Sequence, residues 1–184
     1  VVGTSLKFAL FPLHVWLPNA YTYAPSSVSV FIAATATKVA VYALIRFLFT
    51  VFGAAYAFGT LPLGEVLLVL SVAAMLSGSM AAIFQTDVKR LLAWSSIAQI
   101  GYIVMGFALA SSAGVSASVV HMVNHGLIKG ALFMAVGAMF WRLRTISFND
   151  IAGLGRQMPI TSAAFVVAGL SLIGVPATGG FISK

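Results

Sequence analysis

Four stretches of this 184-residue chain each run for about 20 residues with almost no charge, the length an α-helix needs to cross a bilayer. They are Ser27–Thr50, Gly64–Phe84, Leu91–Ala110 and Ala117–Phe140. Hydrocarbon offers the backbone no hydrogen-bond partners, so each stretch has to satisfy its own amides, and helices do that within one segment. An all-α, polytopic transmembrane bundle is therefore expected. Only 7% of the residues are charged and 61% are hydrophobic, too few charges to coat a soluble domain of this size. The net charge of +7 does not point to nucleic acid, because several of its lysines lie inside apolar runs and no basic cluster alternates with aromatics. With no cysteine there is no disulfide framework or thiolate metal site.

A partial span ends near Phe11 and another begins near Ile160, so residues 1–184 read as one transmembrane domain that is an internal piece of a longer chain. Both partial spans are interrupted. FPLHVWLP places Pro12 and Pro18 where a helix has to end. GVPATGG, with Gly174, Pro176, Gly179 and Gly180, interrupts the last apolar run roughly 16 Å along its helix, near mid-bilayer. Irregular backbone at that depth survives only inside protein or along a cavity, and discontinuous helices of this kind recur in ion transporters. A plain proline kink is the simpler alternative. Three nearby glycines and a lysine favour a functional break.

Lysine and arginine set the expected orientation. The loops 85–90 and 142–156 carry Lys89, Arg90, Arg142, Arg144 and Arg156 and lie on one side by parity, which the positive-inside rule makes cytoplasmic in a multi-pass protein of the cell membrane. The deep charges are different. Lys7, Lys38, Lys129 and Lys184 all lie at or beside mid-span positions. A charge there costs about 2.5–3.5 kcal/mol on insertion scales, a heavy load for a passive scaffold. Buried lysine can give up its proton and arginine cannot. Near the span ends and in the loops arginine predominates, with Lys89 the exception.

His121, His125 and Lys129 fall at i, i+4 and i+8, so one helix face aligns them over about 12 Å. Histidine exchanges protons near neutral pH. With Asn124, Ser95, Ser96 and Gln99 holding water, the trio would form a proton relay. A satisfied structural pair of histidines is the alternative for either ring alone. A metal site is disfavoured, because no carboxylate or cysteine is near and Lys129 would repel a cation. Neither a metal nor another cofactor is expected, and no haem, iron–sulfur or flavin motif is recognisable. Glu65, Asp87 and Asp150 all fall near span ends or in loops, so the acid that would modulate a deep lysine is expected elsewhere in the chain or in another subunit.

SLKFALFPLHVWLPNAYTYAPSSVS, TDVKRLLAWSSIAQIGYIVMG, HMVNHGLIKGALF and GVPATGGFISK together resemble the core of the antiporter-like membrane subunits. These occur in respiratory complex I, in membrane-bound hydrogenases and in Mrp-type multisubunit cation/proton antiporters. The resemblance covers the whole chain in order. It implies a fourteen-helix subunit, of which this piece runs from the seventh helix to the middle of the twelfth, the seventh and twelfth being the broken ones. It further implies that Lys7 pairs with a glutamate of an earlier helix and that Lys38 is the lysine of the eighth. His121, His125 and Lys129 would form the relay of the eleventh, and Lys184 would be the exit group. Some branches have a histidine near Ala33 in place of Lys38, and one complex I branch has glutamate at the position of Lys184. FISK and ATATKVAVYALIRF are most similar to the D subunit of Mrp antiporters. The expectation is a proton-carrying, non-enzymatic subunit of a multisubunit Na+/H+ antiporter, with a complex I or hydrogenase subunit as the alternative. Its partners would be other membrane subunits, the lipid bilayer, protons and Na+.

Overall fold

The computed structural model describes residues 1–183; Lys184 lies outside the described residues, and so does the role expected of it. Among the described residues, four helices are long and apolar enough to cross a membrane: Ser26–Val51, Leu63–Ile83, Val88–Ala108 and Ser112–Leu143. They match the four apolar runs, with ends set by local chemistry. Val88–Ala108 (α6) starts three residues earlier than the run suggests, because Asp87 caps it by accepting from the Arg90 N–H at 3.0 Å. Lys89 and Arg90, expected in a loop, therefore form its first turn. Ser112–Leu143 (α7) extends to 32 residues because the Ser111 hydroxyl accepts from the Gly114 N–H at 3.0 Å.

The first interruption separates α1 (Val2–Phe8) from α2 (Trp16–Tyr23). α1 stops at Ala9, which takes a left-handed conformation at φ 60. Pro12 lies inside the interruption. Pro18 does not break the helix as expected. It sits in the first turn of α2, where its missing N–H would have had no intrahelical partner. The second interruption separates α10 (Pro159–Ile173) from α11 (Gly179–Ser183). Gly174, at φ 91, ends α10 in a Schellman motif. Its N–H reaches the Ser171 carbonyl at 3.2 Å and that of Val175 reaches Leu170 at 3.1 Å. Pro176 follows and prevents continuation.

Hydropathy did not anticipate π-helical turns. The span Ser26–Val51 consists of α3 (Ser26–Phe31), a π turn over Ile32–Ala36, α4 (Thr37–Arg46) and a second π turn over Phe47–Val51. A further π segment, Ala55–Thr60, leads into α5 (Leu63–Ile83). Two short helices, α8 (Phe148–Ile151) and α9 (Leu154–Gln157), join α7 to α10. Among the described residues no strand forms apart from an isolated bridge between Asp87 and Ser147.

α7 is the hub: α3, the first π turn, α6, α10 and α11 all pack on it. Glycines let the backbones approach closely. A Cβ at Gly78 would lie 2.7 Å from the Ala98 amide nitrogen, and one at Gly126 would lie 2.9 Å from the Ala34 carbonyl oxygen. Gly126 and Gly130 form the small-xxx-small spacing that draws helices together in lipid.

One consequence can be measured directly. A Cβ at Gly180 would lie 1.7 Å from the Ser171 carbonyl oxygen, whereas at Gly179 its nearest neighbour is 3.8 Å away. Gly180→Ala is expected to destabilise the full subunit by about 1–3 kcal/mol, the range for overpacking a tight site. Gly179→Ala should be near neutral. Thermal unfolding of the purified complex carrying each variant checks this, and equal melting temperatures would refute it.

Candidate functional site

α7 turns His121, His125 and Lys129 into the bundle. They are 5%, 0% and 0% exposed, so the face expected to hold a relay is the face hidden from lipid. Its neighbour is α6. The Lys129 ammonium donates to the Leu92 carbonyl at 2.7 Å and to the Ser95 hydroxyl at 2.6 Å. The same carbonyl also accepts from Ser95 at 3.0 Å and from Ser96 at 2.9 Å, which makes Leu92 O a node of the polar seam. Both of these Lys129 partners are neutral dipoles. A proton held that way can leave without prising apart an ion pair.

Two turns earlier on α7, the His121 ring bridges two helices. Its Nε2 is 2.9 Å from Gln99 Oε1 on α6, and its Nδ1 is 3.0 Å from the Ser183 hydroxyl on α11. One ring nitrogen thus faces an amide oxygen and the other a hydroxyl that can donate or accept, so the ring has a polar partner on each side. The His125 ring stacks on that of His121 at 6.1 Å with only 10° between the planes. The two rings and Lys129 thus lie buried at successive turns along one face of α7. Asn124, expected to hold water, instead donates to the Gly179 carbonyl at 2.8 Å and pins α11 to α7.

Lys38 is buried too, on the other side of the glycine seam. Its ammonium turns back along its own helix to the Ala33 carbonyl, inside the first π turn, and to the Thr37 hydroxyl at 3.3 Å. Ala34, the next residue of that turn, is the one that meets Gly126 and Gly130. Those glycines flank Lys129 in the sequence, so one backbone approach brings the segments carrying both lysines together.

Lys7 is placed differently. It is exposed, beside Gly3, Leu6 and Trp16 in an open groove of about 600 Å³, and it does not join the enclosed series. The opposite face of α1 buries Ser5 and Phe8 and packs on α4. The carboxylates lie apart from all of these lysines. Glu65 is exposed in the first turn of α5, Asp87 caps α6, and Asp150 accepts from the Thr145 hydroxyl at 2.8 Å. Among the described residues no three histidine, aspartate or glutamate side chains gather into a metal-sized cluster.

Sequence reasoning did not single out three buried polar residues, of which only Ser183 touches the series. Ser183 is a direct partner of His121, and nothing in its local sequence sets it apart from other small residues. His14 is buried in the first interruption, stacked on Phe11 at 5.4 Å and edge-on to Trp94 at 5.5 Å. Lys89 is only 4% exposed. Its signal was visible, since it was the one lysine among the arginines near the span ends.

Comparison with known proteins identifies the family and the fold. Residues 1–184 match the family described as NADH:quinone oxidoreductase/Mrp antiporter, TM. Subunit N of the NADH-quinone oxidoreductase of Desulforudis audaxviator is 45% identical over 184 residues, covering 100% of this chain and 36% of that one. Subunit M from Rickettsia prowazekii is 35% identical over 183 residues, with the same coverage of 100% and 36%. Among solved structures, the Mrp complex from Dietzia sp. DQ12-45-1b superposes with a TM-score of 0.92 at 31% identity, over 99% of this chain and 33% of that one. An archaeal respiratory complex, the membrane-bound sulfane sulfur reductase, gives 0.89 at 34% identity, over 99% and 37%. The chain spans about a third of the length of the relatives it matches. Because the family match runs from the first residue to the last, this membrane-embedded, multi-pass chain belongs to the transmembrane family shared by NADH:quinone oxidoreductases and Mrp antiporters.

Proposed function

We propose that this chain moves protons through the membrane interior, as part of a larger antiporter-like subunit in a multisubunit complex. The observation that carries the proposal is the Lys129 ammonium, wholly enclosed and held by a carbonyl and a hydroxyl, in series with two stacked histidines. Enclosure makes the charge costly, and neutral partners leave it free to discharge. Lys7 and Lys38 act as the first storage groups, Lys129 as the middle one and Lys184 as the exit. Lys7 reaches this line through a carboxylate supplied by the rest of the subunit or by a neighbour. The chain transports ions and catalyses no reaction of its own. It sits in the cytoplasmic membrane with the basic ends at residues 85–90 and 142–156 on the cytoplasmic side.

The driving reaction is read from the relatives. Those named as NADH-quinone oxidoreductase subunits N and M favour a redox-driven proton pump, with electron transfer in other subunits. Exchange of protons for Na+ in an Mrp-type complex is the second reading. It is supported by the 0.92 superposition on the Dietzia Mrp complex and by the resemblance of FISK and ATATKVAVYALIRF to the D subunit of Mrp antiporters. Vesicles carrying the complete complex separate the two. Acidification driven by NADH and quinone without Na+ supports the first, and proton movement driven by a Na+ gradient without electron donor supports the second.

In either setting, Lys129→Arg is expected to lower proton movement by about tenfold or more, because the guanidinium stays protonated. Lys129→Met should lower it as far. Assembly, checked by size exclusion, should persist in both, and normal transport by the arginine variant would remove Lys129 from the path. Lys184→Ala should abolish transport and Lys184→Arg should fail almost as badly, by the same measurement.

The exposed position of Lys7 makes its own demand. A structure of the full subunit is expected to place an aspartate or glutamate within hydrogen-bond reach of Lys7, directly or through one water. Replacing that acid by alanine should impair transport about as much as Lys7→Ala does. A complete structure with only apolar groups around Lys7 would end its role as a switchable store.

A further inference from the structure

The proton line leaves one buried cation unused. Lys89, in the first turn of α6, is 4% exposed, yet its one hydrogen bond among the described residues is a long one, 3.5 Å to the Ala24 carbonyl. Its other neighbours are the Phe140 ring, 5.3 Å from ammonium to centroid, and the Asp87 carboxylate two residues back in the chain, which acts on it by charge without a hydrogen bond to it among the described residues. Lys129, deeper in the bundle, has two oxygens at 2.7 and 2.6 Å. An ammonium carries three donors, and taking it out of water without acceptors is costly. What Lys89 faces is a cavity of about 580 Å³ that also contains Thr22, Ser26, Arg144 and Ser147. Asp87 lines it as well, but its carboxylate is turned to the α6 N-terminus and accepts from the Arg90 N–H.

The cavity opens where helix ends meet: the end of α2, the start of α3, the start of α6 and the end of α7. Two large amphipathic aromatics stand exposed at this end of the bundle: Tyr23, which lines the cavity, at 80%, and Trp141, next in sequence to the lining residue Phe140, at 76%. Such rings settle at the headgroup level of a bilayer. Arg144 lies over Trp141, its guanidinium carbon 5.2 Å from the ring centroid, and Arg90 and Arg142 are exposed nearby on the same helix ends. A basic, hydroxyl-lined cavity at headgroup depth between transmembrane helices suits a phosphodiester.

We propose that this cavity is a binding site for the phosphate of an anionic phospholipid, with Lys89 at its floor and Arg144 at its rim. The ligand supplies the acceptors that Lys89 lacks and ties α2, α6 and α7 together at that end of the bundle. The site is separate from the proton line and does not depend on which ion or redox reaction drives the complex.

The complete complex, exchanged into phosphatidylcholine nanodiscs with a small fraction of phosphatidylglycerol, tests the proposal by native mass spectrometry of retained lipid. Wild type is expected to keep phosphatidylglycerol through the exchange. Lys89→Gln and Arg144→Gln should each cut that retention by about tenfold, the order expected for losing one charge-assisted contact. Lys89→Arg should keep it, and Arg46→Gln, on a different span, should leave it unchanged. If Lys89→Gln fails to assemble, Arg144→Gln decides alone, since this exposed arginine at a helix end should not be needed for folding. Retention unaffected by Arg144→Gln would overturn the site. Displacement of the lipid by millimolar inorganic phosphate would overturn the lipid assignment in favour of a free-phosphate site.

Discussion

A lysine ammonium enclosed in a membrane bundle has to find oxygen atoms, and the contact of Lys129 with Leu92 O and Ser95 on α6 meets that need. Much of the bundle follows from it. α6 has to present a carbonyl already shared with two serines, so its serine-bearing face turns toward α7 while Trp94 and Ala98 meet Gly78 of α5. α7 has to lie close enough for a side chain to cross, with His121 and His125 in the same seam. The contact is polar at its centre, while the helices that hold it are apolar elsewhere. That asymmetry gives the bundle a defined register where greasy surfaces alone would slide.

Glycine supplies the closeness. Gly126 and Gly130 bring the π turn of the first long span against α7, and that turn carries the Ala33 carbonyl to which Lys38 turns back. π turns displace carbonyls from the regular i→i−4 ladder and are often found at functional sites. The second interruption works similarly. Ending α10 at Gly174 frees α11 to fold beneath His121, where Ser183 completes the ring's hydrogen bonds. Broken and widened helices thus place polar backbone and hydroxyl groups at depth without exposing them to lipid.

The interior and the end of the bundle handle positive charge in different ways. Lys129 donates to two protein dipoles, the Leu92 carbonyl and the Ser95 hydroxyl. Lys89 has one long hydrogen bond among the described residues, a ring face and the Asp87 charge nearby, in a cavity at the helix ends. Lys7 stands on an open face of this chain. Similar lysines therefore have three separate environments, and only the position of each relative to neighbouring helices distinguishes them.

Much was readable along the chain because it depends on local chemistry. Runs of about 20 apolar residues have to become spanning helices, Gly174 followed by Pro176 has to end one, and i, i+4, i+8 spacing has to align His121, His125 and Lys129. Family membership, too, was carried by motifs in order. Other features were settled only when helices met in space. That Pro18 starts a helix instead of breaking one depends on where α2 begins. The burial of Lys89 depends on Phe140, a residue far along the chain, and the partner of His121 on α11 depends on the angle of a broken helix. Hydropathy and spacing report what a segment buries and which residues share a face. The acceptor a buried proton carrier meets is chosen by backbone approach and helix register, which are properties of the packed bundle and of no single segment.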